Sequence, residues 1–419
     1  MELKRVVVTG LGAVTPIGND IPTMWNNMVA GKSGAGEITQ FDCSKFRTHF
    51  ACEVKDFDFS SIMDPKEARR LDRYSQFSVY VAKEALQDAA LDLETEDKDR
   101  IGIIWGSGMG GLHSFEEGVG EFVIGDGTPR YNPFFIPKAL HSMGVGHISL
   151  EFGLTGMAFI VSSACSSSSH AISQAFDAVR LGRADVVLTG GADADIRPSG
   201  IGGFNAMRAI STRNDSPETA SRPFSKSRDG FVLGEGGACL ILEEYEHAKA
   251  RGAKIYAEMV GAGATSDAYH MTAPDPEGKG AIRVMKVALA DAGLQPNDID
   301  YINTHGTSTP LGDIAELGAI RAVFGEHIYD MNLNSTKSMT GHLVGAAGAI
   351  EAVACVKALE TGIIPPTINH AEGDEDEKID YKVNYTFNVA QKRNIRYALS
   401  NNFGFGGLNA CVIFKKAED

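Results

Sequence analysis

The sequence predicts an α/β protein made of two similar halves. Predicted strands and helices alternate along the chain, and their order begins again near residue 254. The 47 glycines suit a fold with many tight strand-to-helix turns, because glycine reaches backbone conformations closed to other residues. Such alternation favours largely parallel sheets covered by helices. We therefore divide the chain into halves at residues 1–254 and 255–419.

The elements of the first half follow from its apolar runs. We predict strands at 4–9, 100–105, 158–161 and 185–195, a helix at 65–91, and a loop leading into a strand within 222–243. The run GLGAVTPIG begins like a dinucleotide-binding fingerprint. Thr15 replaces its third glycine and Pro16 follows at once, so we do not expect NAD binding. In the second half, three strand–helix pairs precede two strands around a glycine turn.

Composition narrows the classes of function. The chain has 39 basic and 54 acidic residues, and the net charge of −15 argues against a nucleic-acid partner. No apolar run is long enough for a membrane span and no signal peptide precedes the first strand, so we expect a cytoplasmic protein without membrane contact. The six cysteines lack CxxC spacing, which predicts reduced thiols. We interpret Asp193 and Asp195 as a turn and residues 373–380 as a solvated acidic loop.

The stretch Ala158–Ser169 carries the main candidate for chemistry. An apolar run typical of a buried strand leads into SSACSSSS, and then into a helix with Ile172 and Phe176 on one face. Cys165 therefore lies among the free N–H groups of a first helical turn. We expect the helix dipole to lower the pKa of this thiol and make it a nucleophile. The alternative is a small buried cysteine without a catalytic role.

Three loops of the second half carry further reactive side chains. NTHGTSTPLGD contains His305, STKSMTGHLVGAAG contains Lys337 and His342, and SNNFGFGG contains Phe405. Each loop leaves the end of a predicted strand, and in open α/β folds such loops converge on one site. Either histidine alone could be an ordinary loop or core residue. Together with a nucleophile they predict a shared active site.

These motifs resemble those of the β-ketoacyl-acyl-carrier-protein synthases of the type II, condensing kind, within the thiolase-fold superfamily. The matching segments run from VVVTGLGAVTPIG through SACSSS, RPFSKSRDGFVLGEG, NTHGTSTPLGD and STKSMTGHLVGAAGA to SNNFGFGGLN, which is essentially the whole chain. The resemblance implies a five-layer αβαβα fold and a homodimer. It implies no required cofactor, because the phosphopantetheine arrives on the acyl carrier protein.

The resemblance also implies a reaction. Cys165 would accept an acyl group from a carrier-protein thioester, and decarboxylation of malonyl-carrier protein would give an enolate that attacks it. The product would be a β-ketoacyl thioester two carbons longer. His305 and His342 match the pair that donates hydrogen bonds to the enolate oxygen. Lys337 matches the family lysine, which we expect to act through Glu316.

Binding residues follow from the same resemblance. The backbone N–H groups of Cys165 and Phe405 match the oxyanion hole, and Phe405 also matches a gate to the acyl pocket. Thr307 and Thr309 match the phosphopantetheine contacts. Met109 and Phe204 match the far end of the acyl pocket. A structural Na⁺ or K⁺ site in the family matches Asn303, Glu351, Ser400 and Asn401. Carrier proteins are acidic, so docking needs a local basic surface. The matching residues are Lys66, Arg69, Arg70, Arg130 and Arg208.

Departures from the family pattern leave pathway and partner open. SACSSSSHAI replaces the TACT of type II fatty-acid enzymes and is closer to polyketide-type ketosynthases, and Arg197 stands where a smaller neutral residue is expected. Tyr131 follows Arg130 where a second basic residue is common. We expect fatty-acid elongation, with a specialised type II polyketide or aryl-polyene pathway as the alternative. A thiolase would need a second catalytic cysteine, but Cys411 lies in an apolar strand, and a non-catalytic chain-length subunit would lack Cys165.

Overall fold

The structure is a computed structural model that describes residues 3–418, so residues 1, 2 and 419 of the predicted halves lie outside it. The strands are β1 (Val6–Val14), β2 (Gly36–Glu37), β3 (Phe50–Ala51), β4 (Ile101–Gly106), β5 (Ala158–Val161), β6 (Val186–Asp193), β7 (Gly236–Glu244), β8 (Ala257–Ser266), β9 (Tyr301–Asn303), β10 (Asn332–Asn334), β11 (Ile363–Ile364), β12 (Gln391–Lys392), β13 (Tyr397–Gly404) and β14 (Leu408–Lys416).

The α-helices are α1 (Ile21–Val29), α2 (Pro65–Ala68), α3 (Arg73–Asp88), α4 (Leu112–Ile124), α5 (Phe135–Ala139), α6 (Met143–Phe152), α7 (Ser167–Arg180), α8 (Pro198–Ala206), α9 (Tyr245–Ala250), α10 (Lys279–Ala292), α11 (Gly312–Phe324), α12 (Lys337–Thr340) and α13 (Ala347–Thr361). No helix of the described chain is long and apolar enough to cross a membrane.

The main sheet shows the duplication directly. Its ten strands run in the order β10-β9-β13-β14-β8-β1-β7-β6-β4-β5. The five strands of the first half are ordered β1-β7-β6-β4-β5, and β8-β14-β13-β9-β10 repeats that order in the second half. Within each half the inner pairings are antiparallel and the outer two are parallel. The two similar halves are therefore confirmed, whereas the expectation of largely parallel sheets is wrong.

Helices fill three layers around these strands. Helix α3 covers β1 and β7 on one outer side, and α10 covers β8 and β14 on the other. Helices α7 and α13 pack against each other between the two halves of the sheet. Almost every residue of α13 is buried, as expected for a helix enclosed on all sides. The halves meet at a short antiparallel pairing of β1 with β8. The three helix layers and the two halves of the sheet together form the predicted αβαβα arrangement.

The glycine run after the first predicted strand belongs to β1 itself. A Cβ atom at Gly10 would lie 2.3 Å from the carbonyl oxygen of Ala85, and one at Gly12 would lie 2.1 Å from that of Val81. Both carbonyl groups belong to α3. The glycines therefore let a helix approach a strand closely, and the expected end of the strand at residue 9 is wrong.

Two further elements differ from their predictions. The helix predicted at 65–91 is split into α2 and α3, because the Asp72 side chain accepts the N–H of Tyr74 and caps a new helix. Strand β5 is the last strand of the sheet, so it is not the buried strand expected at 158–161. The side chain of Phe159 is 42% exposed there. The boundary at residue 254 stays a prediction; it falls between α9 and β8.

Candidate active site

A cavity of about 740 Å³ collects reactive side chains from both halves. It is lined by Cys165 from the first half and by His305, His342 and Phe405 from the second. Other predicted site residues on its wall are Met109, Phe204, Arg208, Thr307 and Thr309. The convergence expected from the four strand-end loops is therefore present in the structure.

Cys165 lies on a tight turn between β5 and α7. The turn depends on Ala164, whose φ of +51° is in the left-handed region, and on the N–H of Ser166, which donates to the carbonyl of Ser163. This places Cys165 two residues before the first residue of α7, as predicted, with 7% of its surface exposed. The geometry presents the sulfur to the cavity from the end of a helix.

The surroundings of the Cys165 thiol favour a high pKa and not the low pKa expected from the helix terminus. Burial is the largest influence and raises the pKa of Cys165 to about 11. The charge of Lys337 and the backbone N–H groups of Phe405 and Cys165 lower the pKa, but by less than burial raises it. The resting group is therefore a protonated thiol near neutral pH. The two N–H groups that bond the sulfur are the pair predicted to form the oxyanion hole.

His305 and His342 stand edge to face, with ring centroids 5.4 Å apart and planes at 88°. His342 also packs against Phe231, and His305 against Phe403. Burial, followed by the charge of Lys337, holds the pKa of both imidazoles well below the usual range. Both rings are therefore neutral, each with one N–H.

Three of the four ring nitrogens of the pair are buried and make no hydrogen bond to the described residues. Within residues 3–418, Nδ1 of His305 and both nitrogens of His342 have no hydrogen-bond partner. Main-chain bonds fix the positions of the residues instead. The N–H of His342 donates to the carbonyl of Val232 at 2.7 Å, and the N–H of His305 donates to the Glu316 carboxylate at 2.8 Å. Neutral, oriented N–H donors suit a developing enolate oxygen.

The predicted partner of Lys337 is wrong. Glu316 is occupied by the backbone N–H groups of His305 and Gly306, each at 2.8 Å, and burial raises its pKa to about 7. The Lys337 ammonium instead contacts the carboxylate of Glu351 on α13. Lys337 begins α12, which lies just before α13 along the chain. The ion pair is 2% exposed on both sides and is not part of the cavity wall.

The predicted substrate contacts lie around the same cavity. Thr307 and Thr309 have their hydroxyl groups 3.1 Å apart. Phe204 packs edge-on against Phe231 at 5.2 Å between ring centroids, and the side chain of Met109 is exposed. These positions agree with an arm contact and an apolar pocket, and the individual roles stay predictions.

The five predicted docking residues are all exposed. Arg208 is the member of the set that lines the cavity within the described chain. Arg70 pairs with Glu67 at 2.5 Å and stacks over the ring of Phe134. Arg130 lies 3.5 Å from Asp126, and the remaining two positions of the set are Lys66 and Arg69.

The proposed cation ligands do not all face one point. Asn303 and Ser400 are cross-strand neighbours on β9 and β13, and their Oδ1 and Oγ atoms are buried without a partner in residues 3–418. Adjacent residues of a strand point to opposite faces. The side-chain amide of Asn401 accordingly contacts Met285 on α10. The prediction that this side chain is a cation ligand beside Ser400 is therefore wrong. Asn303, Ser400 and Glu351 fit a monovalent cation in donor chemistry. Among the described residues, no three His, Cys, Asp or Glu side chains group as metal ligands.

Several residues that shape the site have roles that differ from those expected from the sequence. Asp193, which we interpreted as part of a turn, is fully buried and accepts the N–H groups of Gly108 and Gly345 at 2.9 and 2.7 Å. It therefore joins the cavity walls of the two halves. In the stretch expected to be a solvated loop, Asp376 accepts from the buried guanidinium of Arg228 at 2.9 Å. The available signal for Asp193 is an acidic residue at the end of a buried strand.

The fold and the paired reactive halves define a condensing acyltransferase. Residues 3–248 match the family model described as Beta-ketoacyl synthase, N-terminal domain, and residues 256–371 match the Beta-ketoacyl synthase, C-terminal domain. The chain belongs to the β-ketoacyl synthase family, which confirms the resemblance and the thiolase-like fold class.

Named relatives match along their whole length. The chain is 46% identical over 415 residues to 3-oxoacyl-[acyl-carrier-protein] synthase 2 of Staphylococcus aureus strain COL, covering 99% of both chains. It is also 46% identical over 419 residues to the enzyme of that name from Coxiella burnetii, covering 100% of both. Among solved structures, it superposes with a TM-score of 0.90 at 33% identity on a type II PKS ketosynthase complex, AntDE:AntF, covering 99% of this chain and 100% of that one.

Proposed function

We propose that this acyltransferase elongates fatty acyl chains on an acyl carrier protein by decarboxylative condensation with a malonyl thioester. The observation that carries the proposal is the cavity itself, in which one thiol faces two neutral imidazoles with free nitrogens. Identity of 46% to relatives named 3-oxoacyl-[acyl-carrier-protein] synthase 2, against 33% to the polyketide ketosynthase, favours fatty-acid elongation over the specialised alternative.

The first half-reaction loads the enzyme. The sulfur of Cys165 attacks the carbonyl carbon of the acyl thioester, and the C–S bond to phosphopantetheine breaks. The proton of the Cys165 thiol passes to the departing sulfur, so the carrier leaves as a free thiol. The backbone N–H groups of Cys165 and Phe405 stabilise the transient oxyanion.

The second half-reaction uses the histidine pair. The malonyl thioester oxygen accepts hydrogen bonds from His305 and His342, the C–C bond to the carboxylate breaks, and CO₂ leaves. The enolate carbon attacks the acyl-Cys165 carbonyl, the C–S bond breaks, and the thiolate takes a proton from solvent. The product is a β-ketoacyl thioester two carbons longer. Since both imidazoles are neutral, they act as hydrogen-bond donors and not as proton donors.

The partner's arm and surface define the rest of the binding site. We propose that Thr307 and Thr309 hydrogen-bond the phosphopantetheine, and that the acyl chain extends past Phe405 towards Met109 and Phe204. The acidic carrier docks on Lys66, Arg69, Arg70, Arg130 and Arg208. A ketosynthase of the same fold forms a complex with its acyl-carrier protein, which supports a macromolecular partner here.

A homodimer is the expected assembly. Within residues 3–418, strand β5 has one hydrogen-bonded neighbour in the sheet, so its other edge is open there. Exposed apolar side chains occur on β5 and on α6, which packs against it: Leu150 is 76% exposed and Phe159 42%. A second copy with its β5 antiparallel to this one would cover the edge around a two-fold axis. Light scattering after gel filtration checks this assembly, and a monomeric mass contradicts it.

A structural monovalent cation is the remaining proposal, and the reaction itself needs no cofactor. Asn303 and Ser400 are cross-strand neighbours and supply two buried neutral oxygens without a partner in residues 3–418, and Glu351 on α13 supplies a buried carboxylate whose two oxygens also contact Lys337 and Asn402. A bound Na⁺ or K⁺ would stabilise these buried oxygens without entering the reaction. Melting temperatures in Na⁺, K⁺ and a large organic cation at equal ionic strength check it, and identical values in all three contradict it.

A panel of acyl carrier thioesters tests the function. We expect saturated acyl groups to appear on Cys165 by mass spectrometry, and malonyl-carrier protein then to give a product two carbons longer. Cys165→Ala should form no adduct and no condensed product. Coenzyme A thioesters used equally well would indicate a thiolase, an intact malonyl-carrier protein would indicate a non-catalytic subunit, and loading restricted to unsaturated or aromatic acyl groups would indicate the specialised pathway.

A further inference from the structure

The hydroxyl run that follows the nucleophile contains one residue with an unusual contact. The hydroxyls of Ser166, Ser167 and Ser168 all bond main-chain groups. Ser169 instead donates to the side-chain oxygen Oδ1 of Asn402. The reaction described above uses neither Ser169 nor Asn402, although both are fully buried beside it.

The contact continues through two more side chains. Nδ2 of Asn402 donates to Oε2 of Glu351 at 2.7 Å, and Oε1 of Glu351 contacts the ammonium of Lys337. All four side chains are at most 2% exposed. We infer that Ser169 and Asn402 are positioning residues, which hold the Glu351 carboxylate and through it fix the place of the Lys337 charge. This inference rests on the proposed condensing function.

Hydrogen-bond chemistry gives the chain of contacts a single direction. A carboxylate only accepts, so Asn402 must turn its NH₂ group towards Glu351. Its carbonyl oxygen then needs a donor, and the Ser169 hydroxyl supplies one. A Cβ at position 348 would lie 2.7 Å from this oxygen and 2.0 Å from the serine oxygen, so Gly348 leaves the space that the contact occupies. Every polar atom between the serine and the ammonium is thereby satisfied.

The position of the ammonium matters because its surroundings are dry. The charge of Lys337 acts on Cys165, His305 and His342. In a low-dielectric interior its effect on the negative enolate depends steeply on distance. Without the amide donor of Asn402, the buried carboxylate of Glu351 is poorly satisfied. We expect the Glu351 side chain then to adopt another rotamer and to move the ammonium of Lys337 with it. The Lys337 charge also acts on the Cys165 thiol. The oxyanion of the loading step, however, lies against the two backbone N–H groups, so we expect loading to be less sensitive to the ammonium position than decarboxylation.

Four variants test the inference: Ser169→Ala, Asn402→Ala, the double variant, and the control Ser173→Ala. Ser173 lies one turn further along α7 and donates to the main-chain oxygen of Ser169. Its loss therefore leaves intact the side-chain contacts that run from Ser169 through Asn402 and Glu351 to Lys337, which we call the relay. We expect decarboxylation of malonyl-carrier protein to fall about tenfold in either single relay variant. Loading of Cys165 should stay within about twofold, and Ser173→Ala should match the unchanged enzyme in both steps.

The double variant separates a relay from two independent contacts. Because Ser169 acts through Asn402, the double variant should decarboxylate no more slowly than Asn402→Ala alone. Thermal unfolding of the same four proteins should show the same non-additivity in the losses of stability. This measurement does not depend on whether the enzyme condenses. Unchanged decarboxylation in Ser169→Ala, equal losses in both half-reactions, or additive losses would overturn the inference. If Asn402→Ala does not fold, Ser169→Ala compared with Ser173→Ala decides it.

A failure of the proposed function looks different. An unchanged enzyme that neither loads nor decarboxylates carrier thioesters contradicts the condensing function. In that event the unfolding cycle still measures the coupling between Ser169 and Asn402, so the two failures cannot be confused.

Discussion

Replacing His342 with phenylalanine isolates the hydrogen-bond donor from the rest of the residue. Neither ring nitrogen of His342 bonds another group in residues 3–418, so the substitution breaks no internal hydrogen bond. The new ring can keep the edge-on packing against Phe231, now at 5.2 Å between centroids. We therefore expect the free energy of unfolding to change by less than about 1.5 kcal/mol, the usual range for an exchange of similar volume.

The catalytic effect should be much larger than the effect on stability. Loss of one donor to a developing oxyanion costs about 2.7–4 kcal/mol, which is roughly 100- to 1,000-fold in rate. The assay is CO₂ release from malonyl-carrier protein, with loading of Cys165 followed separately by intact mass. His327→Phe is a matched control, since its imidazole donates to the main-chain oxygen of Ile299 and does not line the cavity. A loss of less than about tenfold in His342→Phe, or an equal loss in loading, refutes the assigned role.

Three further predictions concern the fold and the surface. Burial raises the pKa of Glu84 from 4.5 to about 7, so the stability that Glu84 contributes is full below pH 4.5 and is lost as the pH rises through 7. The free energy of unfolding of Glu84→Gln, measured with denaturant, should lack that decline. A variant with the same pH profile as the unchanged protein contradicts the prediction. Gly12→Ala places a Cβ against the Val81 carbonyl and should cost about 1–3 kcal/mol of unfolding free energy, whereas wild-type stability would show that α3 can move away. Arg208→Glu should raise KM for the carrier thioester about tenfold at low salt and less at high salt, with Lys32→Glu, outside the cavity, as control; equal effects of the two variants exclude a docking role.

The sequence predicts those site residues whose place follows from the chain order. Cys165, His305, His342 and Phe405 each come directly after or within a strand-end turn, and loops at strand ends converge wherever such a sheet forms. The duplication could be predicted for the same reason, because element order determines which strands can be neighbours. Local signals and one topological rule were sufficient for these features.

Other features depend on packing that no local pattern encodes. Glu316 and Glu351 both follow reactive loops along the chain, and only the folded path of the chain between Lys337 and α13 decides which carboxylate meets the ammonium. The pKa of Cys165 rises because of what covers the thiol, while the helix terminus that suggested a low pKa is present. Strand β5 is apolar although it is the last strand of the sheet and Phe159 is exposed, so apolarity alone could not separate it from a buried strand.

The chemistry of Cys165 is tested most directly by one pulse-chase measurement. The enzyme is loaded with a saturated acyl-carrier protein, freed of excess substrate, and chased with malonyl-carrier protein labelled at the carbons that remain after decarboxylation, with intact masses recorded at each stage. We expect an acyl adduct on Cys165 that disappears in the chase, while a labelled β-ketoacyl product two carbons longer appears on the carrier. An adduct that survives the chase, or a condensed product formed without one, contradicts it.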